Sequence, residues 1–280
     1  MEKLIESNDQ EDAIYFHRKP LPETCIDFSS SEGKQVFSEA LASGYMECYF
    51  KLSSQFRTQD ELNYCGLTSL VMALNALDVD PGRLWKAPWR WYHETMLDCC
   101  IPLETAQKEG VNMAQLYCLA KSNGLHPHAV NGKDLTLDRL RQEVKHVTKR
   151  EDVVFIANYG RSMLGQTGDG HFSPIAGYHE NRDLVLILDT ARYKYPPHWV
   201  SLEALLDGMK DIDLNTGKPR GYIKLTVAND QTSPPPPPTL SELQMGSKMD
   251  DSLSQLLTKD PVLLRILLEI MEMKLQSSYN

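Results

Sequence analysis

Midway along this chain the spacing of its apolar residues changes. Up to about residue 147 they recur every three or four positions, and from residue 152 onward they alternate or run in short unbroken blocks. The first period suits one face of a helix and the second suits a strand. A chain that places its helices first and its strands afterwards folds as α+β, not as alternating βαβ units. The clearest helix is predicted at 65–77, where Leu67, Leu70, Val71, Leu74 and Leu77 share a face. Further helices are expected at 31–44, closed by Gly44, and at 112–123, 135–147 and 201–210. Residues through Tyr49 and Phe50 read as a strand or turn. Gly124, Pro127 and Gly132 read as a loop between two of the helices. Strands are expected at 152–158, 171–178, 184–189 and 220–228, with a hairpin turn from His179 to Asp183.

The domain limits follow from composition. Residues 1–18 read as a polar lead-in and 19–231 as a helical half followed by an antiparallel sheet. The run at 232–239 is a stiff polyproline linker, and 240–280 a helical tail opened by Asp260 and Pro261. The net charge of -9, with no stripe of Lys or Arg, argues against nucleic-acid and anionic-membrane partners. No apolar run is long enough to span a bilayer, and the acidic stretch from Met1 to Asp12 is no secretory signal. None of the six cysteines has C-x-x-C spacing, so the expectation is a reducing, cytoplasmic setting with mostly free thiols. The absence of a P-loop or G-x-G-x-x-G motif speaks against a nucleotide-dependent mechanism.

Cys65 opens the strongest helix, where the positive end of the helix dipole favours a thiolate. Gly66 would let a substrate carbonyl approach the backbone, and Gln59 would supply a donor to an oxyanion. Inert packing of a core cysteine is the competing reading. His171 follows the glycine-rich turn GQTGDG and opens a strand, so it could reach a thiol on a facing helix. Asp189 ends the apolar strand LVLIL, where a carboxylate needs a partner such as an imidazole on the neighbouring strand. A local carbonyl for His171 and a turn cap for Asp189 are the alternatives. His126 and His128 fall in the expected loop without a carboxylate pair. Adjacent Cys99 and Cys100 make a poor chelate with a side chance of soft-metal contact. Trp85, Trp89 and Trp91 read as core.

Four stretches carry a resemblance: YCGL at 64–67, LNALDVDPGRLWKAPWRWYHETMLDCC at 74–100, GQTGDGHFSPIAGYH at 165–179 and LILDTARYKYPPHWV at 186–200. On these the chain resembles phytochelatin synthases, the glutathione γ-glutamylcysteinyltransferases. The resemblance implies a papain-like fold with a Cys65–His171–Asp189 triad and Gln59 at the oxyanion position. It implies transfer of γ-Glu-Cys from glutathione to a second glutathione or phytochelatin, yielding metal-chelating (γ-Glu-Cys)n-Gly peptides in heavy-metal detoxification. A glutathione hydrolase with little transfer and a non-enzymatic thiol metal-binder are the alternatives. Asp213 and Arg220 match positions for the substrate's charged head, and Arg192 and Tyr195 match a second-substrate or metal-thiolate surface. No cofactor is implied for the chemistry; Cd, Zn or Cu enters as glutathione thiolates, without a fixed metal site. A homodimer is compatible with the resemblance. Two departures stand out: Ser122 replaces a cysteine of plant-type members, and no cysteine follows Cys118, so 240–280 reads as a remnant of a variable C-terminal domain.

Overall fold

The computed structural model describes residues 18–228; the lead-in up to residue 17, the polyproline run and the tail at 240–280 lie outside the described residues. Seven α-helices occur among them: α1 (Ser31–Ala42), α2 (Glu47–Ser54), α3 (Cys65–Ala76), α4 (Leu103–Glu109), α5 (Met113–Ser122), α6 (Leu137–Thr148) and α7 (Leu202–Lys210). The strands are β1 (Cys25–Asp27), β2 (Leu125–Asn131), β3 (Val154–Gly160), β4 (Gly170–His179), β5 (Leu184–Ile187), β6 (His198–Ser201), β7 (Ile212–Asp213), β8 (Lys218–Pro219) and β9 (Gly221–Val227). Seven of them build one sheet in the order β1-β6-β5-β4-β3-β9-β2, with every neighbouring pair antiparallel.

Apolar side chains cover both faces of this sheet. On β3, Val154 and Ile156 join the cluster containing α3 and α5, while Phe155, Ala157 and Tyr159 join the one containing α6 and α7. A strand buried on both sides loses its apolar/polar alternation, which is why 152–158 reads as a block. The predicted helices start at well-formed caps: Ser30, Thr136 and Ser201 accept from backbone N–H groups three residues on, and Asn112 with Gln115 forms a reciprocal capping box.

Three expectations are corrected. Residues 47–54 form a helix in place of a strand or turn: Cys48 and Leu52, four apart, are its buried face. Residues 125–131 form β2 in place of a loop, so His126 and His128 lie on a strand. Pro127 is tolerated because β2 is the edge of the sheet, where a missing N–H breaks no ladder. The segment Asp80–Trp91 clusters apart from the rest of the described chain. Within it Arg90 pairs with Asp80 at 2.8 Å, and Trp85, Trp89 and Trp91 are 39%, 68% and 44% exposed, so they are not core.

Candidate active site

Helix α3 lies on β4, with Ser69 Oγ donating to the Phe172 carbonyl at 3.2 Å. Its first residue is Cys65, and no side chain caps that end. His171 is the second residue of β4. The β4–β5 ladder slips by one residue between Ile175 and Gly177. Beyond the slip Ile175 faces Ile187, and two further residues in each direction set Asp189 level with Ser173. Ser173 shares a face with His171, so the bulge turns the carboxylate toward the imidazole; without it Asp189 would face the other way.

His171 Nε2 lies 2.8 Å from Asp189 Oδ1. This leaves Nδ1 for a nucleophile, and Cys65, which lines the same cleft, feels both the imidazole and the Phe172 backbone. Burial pushes the thiol up, yet the charge on His171 and its hydrogen bonds outweigh this, and the net shift is downward. Burial and Arg161 push the imidazole down, but Asp189 and Cys65 outweigh them and the net shift is upward. Opposite shifts of this kind stabilise a thiolate–imidazolium pair. Asp189 is completely buried; desolvation opposes its ionisation, and His171 and Arg161 overcome that to hold it far below the usual carboxylate range.

Arg161 was not among the sequence candidates. Its Nη1 and Nη2 donate to the two Asp189 oxygens at 2.8 and 3.0 Å, a bidentate clasp. Nη1 also donates to Gln166 Oε1 at 2.6 Å, and Gln166 Nε2 meets His198 Nε2 at 2.9 Å. His198 Nδ1 lies 2.8 Å from the Pro196 carbonyl. Burial holds His198 below its ordinary value, so it is the neutral tautomer that donates from Nδ1 and accepts at Nε2. A polar chain of buried groups, each with a partner, thus runs from His171 to the Pro196 carbonyl. The available signal was that Arg161 is the only Lys or Arg between Asp152 and His171, inside a run that the sheet buries.

Cys65 and His171 open on a cleft of about 790 Å³, whose lining also includes Gln59, Val111, Asn158, Tyr193, Asp213 and Arg220. Arg220 is 6% exposed; Nη2 donates to Asp169 Oδ1 at 2.9 Å, and Nη1 lies 3.9 Å from Asp213 Oδ1. A Cβ on Gly170 would stand 2.0 Å from Arg220 Nη1, so glycine before His171 is what admits the guanidinium. The structure therefore brings Cys65, His171, Asp189, Gln59, Asp213 and Arg220 together.

Other candidates stand differently. Gln59 reaches the cleft wall, but its amide nitrogen already donates to the Glu61 and Leu62 carbonyls at 2.9 and 2.8 Å. The space beside Gly66 is filled by protein: a Cβ there would meet Val111 Cγ2 at 2.4 Å, so this glycine serves packing and not the approach of a carbonyl. Tyr195 is 2% exposed and its hydroxyl accepts from Thr167 N–H at 2.8 Å; it is scaffold, not a second-substrate surface. Arg192 is exposed and stacks on Phe56 at 4.7 Å, outside the cleft lining. Cys100 is bonded to Cys118, which removes it as a thiolate ligand, while Cys99 is free and exposed.

A partly exposed thiol at a helix tip, an imidazole on the facing sheet and a buried carboxylate behind it form the arrangement of a cysteine-nucleophile enzyme site on an α+β fold. The profile of phytochelatin synthase matches residues 16–222, and the chain belongs to that family. Curated relatives include glutathione γ-glutamylcysteinyltransferase 3 of Lotus japonicus, 52% identical over 208 residues, 74% of this chain and 43% of the relative. Another is glutathione γ-glutamylcysteinyltransferase 1 of Arabidopsis thaliana, 50% identical over 75% of this chain and 44% of the relative. The glutathione γ-glutamylcysteinyltransferase of Schizosaccharomyces pombe is 47% identical over 75% and 51%. The chain thus spans about half the length of the curated relatives it matches. Among solved structures, a double-glycine-motif protease from an AMS/PCAT transporter in complex with the leader peptide overlaps 61% of this chain and 89% of its own. Its TM-score is 0.38 at 16% identity. Among the described residues no helix is long and apolar enough to cross a membrane.

Proposed function

We propose that this chain carries out cysteine-dependent transfer of γ-Glu-Cys from glutathione to a second glutathione or to a growing peptide. The observation that carries this reading is that Cys65 and His171 line the same cleft as Arg220 and Asp213. Glutathione presents an ammonium and a carboxylate on its γ-glutamyl head. Asp213 suits the ammonium and the Arg220 guanidinium suits the carboxylate. With the head anchored there, the Cys–Gly amide is carried toward Cys65.

The Cys65 thiolate attacks that amide carbon, and the carbonyl electrons move to oxygen. The uncapped N-terminus of α3 supplies N–H donors for the oxyanion. Gln59 joins them only if its amide gives up a backbone carbonyl. The His171 imidazolium protonates the departing glycine nitrogen, leaving a γ-Glu-Cys thioester on Cys65. The α-amine of the acceptor then attacks the thioester, and neutral His171 takes its proton. Asp189 stays ionised throughout, holding the imidazole and stabilising its charged form.

Soft Cd(II), Zn(II) or Cu(I) belongs to this scheme as part of the substrate, on glutathione thiolates. The chemistry is that of a cytosolic thiol pool. Incubation with glutathione and Cd(II), followed by mass separation of products, tests the reading. Glycine release with (γ-Glu-Cys)n-Gly oligomers is expected. γ-Glu-Cys without oligomers would reassign the chain as a hydrolase, and no turnover would overturn the enzyme assignment.

A further inference from the structure

Away from the cleft, three potential ligands from two segments converge. Asp60 Oδ2 lies 3.1 Å from His93 Nε2, and His93 Nε2 lies 3.6 Å from Glu94 Oε2. All three ligand atoms fall within 4.8 Å of one another. A tetrahedral zinc with bonds of about 2.0–2.2 Å holds neighbouring ligand atoms roughly 3.3–3.6 Å apart. The two spacings to His93 Nε2, 3.1 and 3.6 Å, bracket that edge.

Glu94 is the reason to read this cluster as more than a surface ion pair. Its side chain has no exposure at all. Oε1 accepts from Thr68 Oγ1 at 2.8 Å, which fixes the carboxylate on the catalytic helix, three residues past Cys65. Oε2 receives no well-directed hydrogen bond. It only faces the Arg57 guanidinium, with Nη1 at 2.9 Å, and the His93 ring. Arg57 also reaches Asp60 Oδ1 at 2.8 Å and His93 Nε2 at 3.3 Å. One cation thus touches all three groups. Two carboxylates face one guanidinium here, and a buried carboxylate oxygen without a directed hydrogen-bond donor is costly.

We propose that Asp60, His93 and Glu94 form a site for a single divalent cation of the Zn(II) class, which takes the position the Arg57 guanidinium holds in its absence. Arg57 is 27% exposed on its side chain, so it can swing to solvent when the metal enters. A divalent ion then balances both carboxylates, with water in the fourth position. His93 Nδ1 lies 3.1 Å from Thr95 Oγ1, and with Nε2 on the metal Nδ1–H donates to that hydroxyl. The donor set is one nitrogen and two oxygens, without sulfur, so this site is distinct from any metal carried on substrate thiolates. Asp60 adjoins Gln59, and Glu94 is held by α3; the ion would tie together two elements that border the cleft.

The test uses the full chain in a Cys65→Ser, Cys99→Ser background, which removes the two thiols most able to capture metal, with Zn(II) or Co(II) alone and no glutathione. Co(II) is expected to give visible d–d bands without a thiolate charge-transfer band, at one equivalent per chain, and Zn(II) to displace it. His93→Ala and Asp60→Asn should each weaken binding by about tenfold or more. Arg57→Gln, which removes the competing cation and folds independently of the first two, should tighten it by about tenfold. Absence of an oxygen/nitrogen Co(II) spectrum in the background protein, binding that survives His93→Ala unchanged, or an Arg57→Gln affinity no better than its parent's would each overturn the site.

Discussion

Replacing Arg161 with Met tests the electrostatic argument most directly. Arg161 holds both oxygens of a completely buried carboxylate at 2.8 and 3.0 Å and is itself 3% exposed. Removing one partner of a buried pair leaves an uncompensated charge and costs about 3–5 kcal/mol. Against a total stability of about 5–15 kcal/mol this is a large fraction. With a urea m-value near ~2–3 kcal/mol/M, the unfolding midpoint should fall by roughly 1–2 M. The titration effect has a definite sign. The Arg161 charge lowers both the Cys65 and the His171 values, so its removal raises both. Alkylation of Cys65, followed on its own peptide by mass spectrometry, should begin at higher pH. The alkaline limb of turnover should move the same way, shifting the whole bell upward. Arg161→Lys keeps the charge but not the fork, and should recover the pH profile better than the midpoint. An Arg161→Met protein within about 0.5 kcal/mol of the parent, with an unmoved Cys65 profile, would refute the reasoning.

Cys65→Ser should abolish turnover while leaving the urea midpoint close to the parent's, because one sulfur is exchanged for oxygen at a partly exposed position; measurable turnover in that variant removes the thioester mechanism. Gly66→Ala should cost about 1–3 kcal/mol, since the new methyl meets Val111 Cγ2 at 2.4 Å, and should raise KM because Val111 lines the cleft; an unchanged midpoint by chemical denaturation would contradict the packing. The buried carboxylate also sets the acid behaviour. Asp189 is depressed in the fold, so its contribution is complete above the ordinary carboxylate value of about 3.9 and is lost as pH falls below it. His171 is raised, so its contribution is complete below about 6.5 and is lost as pH climbs through its folded value. Asp189→Asn should therefore flatten the acid limb of stability against pH; a limb as steep as the parent's would show that other carboxylates govern it.

What the sequence determined by itself was whatever short-range physics governs. The helix of Cys65, the capped starts at Asn112, Thr136 and Ser201, and the central strands all follow from spacing and local hydrogen bonding. Spacing made Cys65, His171 and Asp189 candidates, and the resemblance carried by four longer stretches implied that they act as a triad. Short elements with few buried residues were not legible. Helix α2 buries little beyond Cys48 and Leu52, and β2 carries a proline that only an edge position excuses. The tertiary structure alone decided which groups share an environment. A one-residue slip in the β4–β5 ladder turns Asp189 to His171. A guanidinium 28 positions upstream clasps the far side of that carboxylate. The space beside Gly66 belongs to Val111, and the Gln59 amide is taken up by local carbonyls. Charge–charge and packing energies depend on distances that are unrelated to separation along the chain, and only the folded arrangement fixes those distances.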